Sequence, residues 1–172
     1  MGDLDVMAVI LDATQAYQKN SNIWTMRIKL IDHTMQEPVT LLMFAFTPKE
    51  LPKITTLGDI LYIKNAKLDS YMGKKNIVWN ARAQTTWSLF SGKRSKTSYQ
   101  LPSLFSKDVP DIQENEFRAL QFKKRGKPIP ELVTEEMKTF LVKLRDWSLA
   151  YLKSVCVLDP YQILPNSREK QD

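Results

Sequence analysis

Large rings and basic side chains alternate through much of this chain. Tyr17, Phe44, Tyr71 and Trp79 stand in segments that also carry Lys19, Arg27, Lys29, Lys64, Lys67, Lys74, Lys75 and Arg82. Together they suit an unpaired nucleic-acid strand: bases stack on rings, each contributing roughly 1–3 kcal/mol, while cations track the phosphates. Tyr17 and Tyr71 each lie beside a polar turn, "QKNSN" and "MGKK", which argues for surface rings. Trp24 and Trp87 alternate with Met26 and Leu89, which points them inward. For Phe44 and Trp79, a core position and a stacking position both remain open.

The charge distribution agrees. Within a net charge of +6, residues 61–96 hold Lys64, Lys67, Lys74, Lys75, Arg82, Lys93, Arg94 and Lys96 against Asp69 alone. Such a patch attracts polyanions, although a solvated basic face is the alternative. Other chemistries lack their parts. There are 5 glycines and no GxxxxGK[ST] or GxGxxG run, so no phosphate loop is expected. The single cysteine, Cys156 in "SVCVL", reads as a buried thiol of a reducing compartment, and the single histidine, His33 in "IDHTMQEP", as a solvated turn residue. No cluster of Cys and His suggests a metal site, and no cofactor or small-molecule substrate is expected. Asp12, Asp32, Asp59 and Asp69 fall at strand ends or turns, with Asp32 and Asp59 as turn formers, and no pair has the spacing of a general acid and base. A catalytic role is therefore not expected. The start, "MGDLDVMAVILDA", has no basic segment ahead of its short apolar stretch, and Val6 stands where a myristoylation signal wants Ser or Thr. That is the pattern of a soluble, intracellular chain with no membrane partner.

The elements that must position these residues are mostly strands. "DVMAVILDATQAYQ" is an apolar run with β-branched members. "IWTMRIKLID" alternates, with Trp24, Met26, Ile28 and Leu30 on one face and Thr25, Arg27 and Lys29 on the other. "VTLLMFAF" puts Thr40, Leu42, Phe44 and Phe46 on one face, and "TPKELPKITTLGD" is a loop with one helical turn. "ILYIKNAKLDSY" and "NIVWNARAQTTWSLF" form a fourth and a fifth strand around "MGKK". Five short strands predict a small closed barrel or a sandwich, and the Gly-bearing loop between the third and fourth fits the five-stranded OB barrel. The fold class is mainly β: an OB-fold barrel over 1–96, a polar excursion or loop over 97–132, a helix packed on the barrel over 133–156, and a tail or linker over 157–172. The helix, "VTEEMKTFLVKLRDWSLAYLKS", has Thr134 as N-cap and an apolar stripe of Met137, Phe140, Leu141, Leu144, Trp147, Ser148 and Tyr151.

Several runs taken in order carry a resemblance. "AVILDATQAYQKNSNIWTMRIKLID", "LPKITTLGDILYIKNAKLDSYMGKK", "TTWSLFSGKRS" and "LVKLRDWSLAYL" resemble the first OB-fold of the protection-of-telomeres and telomere end-binding protein alpha-subunit family. The resemblance implies non-catalytic binding of single-stranded, G-rich telomeric DNA, a nuclear location at chromosome ends, and a telomere partner subunit. Tyr71 matches the family's stacking tyrosine after the fourth strand, and Phe44 its base-contacting phenylalanine in the third. Tyr17 and the loop holding Lys19 match the DNA-side loop. Lys64, Asn65 and Lys67 fall where the family often has His, Arg and Lys, which adds Asn65 to the candidates. Trp79 stands a few residues before the aromatics that ciliate alpha subunits carry near Arg82 and Ala83. Human-type members have an aromatic and a Lys near Ala13 and Thr14, and this chain has neither, while Asp69 adds an anion. Those two features favour the alternative, a protein-interaction OB-fold with weak or no DNA binding. A sequence-tolerant binder akin to replication protein A is a third possibility.

Overall fold

The computed structural model describes residues 3–18, 21–71, 73–93, 117–123 and 133–155, with the backbone alone at 71 and 155. Lys19, Cys156, most of the 97–132 region and the tail after the helix lie outside the described residues. The strands are β1 (Leu4–Ala13), β2 (Tyr17–Gln18), β3 (Trp24–Ile31), β4 (Val39–Ala45), β5 (Ile60–Tyr71), β6 (Lys74–Asn80), β7 (Thr86–Phe90) and β8 (Gln121–Phe122), followed by helix α1 (Glu135–Val155). The sheet runs β1-β3-β4-β6-β5, and β5 pairs back onto β1, so five strands close a barrel. β4 and β6 meet in parallel.

The expected fifth strand is two strands. β6 pairs with the far half of β5 through Lys67↔Val78, and β7 pairs with its near half through Lys64↔Thr86. Residues 81–85 loop out between them. Thr85 ties the loop's ends, its Oγ1 donating to the Asn80 carbonyl (2.8 Å) and accepting the Arg82 amide (2.8 Å).

Alternation sorts the side chains into two cores. Met26, Ile28, Leu30, Leu41, Met43, Ile77, Trp79, Trp87 and Leu89 fill the barrel. Outside it, Met7, Val9, Ile31, Ile60 and Phe90 meet Leu141, Leu144 and Leu152 of α1. β1 serves both cores, with Ala8 and Ile10 inward and Met7 and Val9 toward the helix, which is why "DVMAVIL" is apolar without alternation. The expected helix stripe packs there, and Ser148 is fully buried within it. Thr134 caps the helix by accepting the Met137 amide at 3.2 Å, with Glu135 and Glu136 in the positive first turn.

Three expectations need correction. Gln121–Phe122, inside the stretch read as a polar excursion, pairs with β7, and the Gln121 amide exchanges hydrogen bonds with the Lys53 backbone (2.9 and 2.8 Å). Two residues are too few to show a period. His33 is not a solvated turn residue, because its ring lies half-buried 5.4 Å from that of Phe140. Asp32 does form its turn, accepting the Thr34 amide (2.8 Å) and hydroxyl (2.6 Å), but Asp59 does more than turn the chain.

Asp59 begins the run into β5 just after Gly58, whose φ of 91° suits glycine. Its carboxylate is buried and accepts the Gly92 amide at 3.1 Å, tying the start of β5 to the end of β7. Burial pushes its pKa up to about 6, against the partial relief of that amide, Lys93 and Arg145. A folded-state pKa above the unfolded value means stability is fullest below pH 4 and is lost as pH rises toward 6. An Asp59→Asn variant keeps the acceptor and should gain stability relative to the parent between pH 4 and pH 7, by up to about 3 kcal/mol. Urea midpoints of both chains across that range check this, and a constant difference would refute it.

Candidate nucleic-acid interface

The helix covers the β1–β5–β7 side of the barrel, and β3, β4 and β6 keep an outward face of exposed and half-buried side chains. Register builds that face in rungs. Tyr17, Thr25, Phe44 and Asn80 make one. Arg27, Leu42, Val78 and Lys67 make the next, and Lys29, Thr40, Asn76 and Asp69 the third. Directly opposed residues share a face, so Tyr17 and Phe44 flank Thr25 on neighbouring strands about 4.8 Å apart. Both rings are half-buried, with part of each open to solvent. Arg27, Lys29 and Lys67 are exposed, and none is ion-paired among the described residues. Arg27 is set by the Thr14 hydroxyl, which accepts its amide at 3.0 Å. Thr14 thus holds the β1–β3 junction, near which the resemblance puts a Lys in human-type members.

The β5–β6 hairpin rises at the third-rung end. Its connection contains Gly73 with φ 77°, and the last pair is Tyr71↔Lys74. Lys74 and Lys75 are exposed there. At the opposite end, the 81–85 loop carries exposed Arg82. Lys123 holds this loop: its Nζ donates to the Arg82 and Thr85 carbonyls and sits 5.3 Å from the Trp79 ring centroid. Sequence reasoning missed Lys123, because nothing local marks a lysine as the clasp of a loop some 40 residues earlier.

Three candidates change meaning. Trp79 is fully buried in the barrel and donates its Nε1–H to the Thr86 carbonyl at 3.2 Å, so it is core and offers no platform. The signal was available, since "NIVWN" pairs Ile77 with Trp79 on the inner face. Lys64 shares the side of β5 that carries Ile60 and Tyr62 under the helix, apart from the rungs above. Asn65 is structural. Its φ is 61°, its amide hydrogen goes to Asp5 Oδ1 (3.1 Å), and its side-chain amide donates to the Gln84 carbonyl of the looped-out segment. Left-handed backbone suits Asn and Gly and disfavours a long cation, which accounts for Asn in place of Arg. Among the described residues, no group of three His, Cys, Asp or Glu could hold a metal, and no helix is long and apolar enough to cross a membrane.

A closed five-stranded barrel with one open face of rings and cations is an OB-fold, the class that grips oligonucleotides along such a surface. The chain belongs to the telomeric single-stranded DNA-binding POT1/CDC13 family, whose model matches residues 2–155. It is 30% identical over 135 residues to the telomere-binding protein subunit alpha of Sterkiella nova, covering 66% of this chain and 27% of that protein. It is 28% identical over 94 residues to the same subunit of Stylonychia mytilus, covering 48% of this chain and 19% of the relative. The chain thus spans about a quarter or less of these relatives. The fold is that of fission yeast Pot1 crystallised with ssDNA (TM-score 0.60, 14% identity, 86% of this chain and 43% of that one). A second Pot1–ssDNA complex gives a TM-score of 0.59 at 14% identity, over 86% of this chain and 76% of the other.

Asn65 offers a test of structure against binding. Asn65→Ala should lower stability by about 1–2 kcal/mol from the left-handed backbone alone, and Asn65→Gly by less. Denaturant titration of both variants reads the order, and equal losses would contradict it.

Proposed function

We propose that this chain binds single-stranded, G-rich telomeric DNA along the β3–β4–β6 face, in the nucleus at chromosome ends and beside a telomere partner subunit. The observation that carries the reading is the Tyr17–Thr25–Phe44 rung, which sets two rings on one open face next to Arg27, Lys29 and Lys67. Bases stack on Tyr17, Phe44 and Tyr71, and the cations of β3, β5 and β6 take the phosphates. Lys74 and Lys75 extend the basic track at the hairpin, and Arg82 extends it at the loop. Lys19 is included on the resemblance alone. The reading asks for no bond to be made or broken.

A second reading, docking of a protein partner, draws on Asp69, which is exposed on the same rung as Lys29, and on Leu68, which is 44% exposed beside it. Fluorescence anisotropy with a telomeric repeat strand and a scrambled strand separates the cases. Preference for the repeat supports the proposal, equal affinity makes the chain a sequence-tolerant binder, and no binding favours the protein partner.

Tyr71→Ala should weaken binding by about 1–3 kcal/mol. Affinity should also fall with salt at a log–log slope of about −0.7 for each phosphate contacted. An unchanged affinity would take Tyr71 out of the site, and a flat salt response would argue against the basic track.

A further inference from the structure

The outward face of β4 does not end at Phe44. Met43 and Ala45 are buried, and between and after them Phe44 and Phe46 turn outward, with Phe46 74% exposed. Ile23, 39% exposed, precedes the Trp24↔Ala45 pair on β3, as Phe46 follows it on β4. Open apolar side chains therefore stand one step beyond the Tyr17–Thr25–Phe44 rung.

The backbone that carries Phe46 is fixed on both sides. Before it, Ala45 is held in the ladder to β3. After it, Thr47 donates from its amide and hydroxyl to Glu50 Oε2 (3.4 and 3.3 Å). That closes the 3-10 turn Pro48–Glu50, and the Glu50 carbonyl accepts the Trp87 indole N–H at 2.7 Å. A backbone held this way loses little freedom on meeting a ligand, which leaves only the ring's own torsions to be ordered.

We infer that Phe46 is a stacking platform for one further base of the single strand, next to the base held at Phe44. The inference rests on the reading of this face as a DNA track. Phe46 stands one residue past the end of β4, and two residues of extended chain span at most about 6.8 Å, a distance that one extended nucleotide can bridge. Lys49, exposed three residues on, provides a cation for that nucleotide's phosphate. An exposed ring beside Lys49 suits a flat base better than the broad apolar face of a protein helix. No candidate set drawn from the family pattern contains Phe46, because its signal is exposure on a rigid backbone and not a motif.

The test is an anisotropy series with the wild-type chain, Phe44→Ala, Phe46→Ala and Phe46→Trp, against telomeric strands shortened one nucleotide at a time from each end. Phe46→Ala should bind the longest strand about 5- to 150-fold more weakly, and Phe46→Trp should keep the affinity. Removing a single nucleotide from one end should bring wild type and Phe46→Ala to the same affinity. The thermal midpoint of Phe46→Ala should match that of wild type, since the ring is open to solvent. Loss in Phe44→Ala with none in Phe46→Ala overturns the inference, leaves the DNA reading standing, and makes the Ile23–Phe46 corner a candidate for protein docking. An equal loss on strands of every length, or a loss in Phe46→Trp, also overturns it. A wild-type chain that binds no strand removes the DNA reading and the inference together.

Discussion

β5, twelve residues long, bonds to β1 through Ile60–Ala66 on one edge and to β7 and then β6 along the other. The change from β7 to β6 falls at Asn65, whose left-handed backbone turns the strand while its side chain holds the loop opposite. The β5 ends of the second and third rungs follow from that change. The bend carries the far half of β5 over to β6 and sets Lys67 beside Val78 at the end of the second rung. It leaves the near half under α1, so Ile60 and Tyr62 are helix-facing and Lys64 goes with them.

Closure makes alternation do two tasks at once. Inward residues of β3, β4 and β6 are buried apolar groups, and outward residues remain open. A barrel this narrow fills its interior with side chains, so a ligand has only the outside, and α1 already occupies much of it. The face left over is the one in which β4 and β6 run parallel, and it is ruled by rungs of mixed ring, cation and amide.

Much of this was legible in the residues. The β3 pattern named its outward face correctly because apolar and polar residues alternate there, whereas the β4 pattern grouped Thr40, Leu42, Phe44 and Phe46 on one face but left its direction open, since both of its faces carry apolar residues. The helix stripe and its Thr134 cap read cleanly for the same reason: period and capping chemistry are local. The errors share a different cause. The split of the fifth strand depends on where β5 changes partner, which no window of 15 residues contains. β8 and the Lys123 clasp are made by chain returning from far along the sequence. Trp79 was kept as a candidate platform although Asn76 and Asn80 mark the outer face of β6 and Ile77 shares the inner one, because the basic residues around it drew the reading toward the surface.

The chain leaves β7 at residues 91–93 and returns at Phe117, and both points are anchored on the side away from the rungs. Ser91 accepts Arg145 Nε at 2.9 Å, and Gly92 is held by Asp59. Phe117 and Ala119 pack into the helix-side core, with Lys138 and Arg145 over the Phe117 ring. Such a pair of fixed posts ties both crossings into the helix-side core. A strain that reaches either post is therefore taken up against α1 before it reaches the register of β3, β4 or β6.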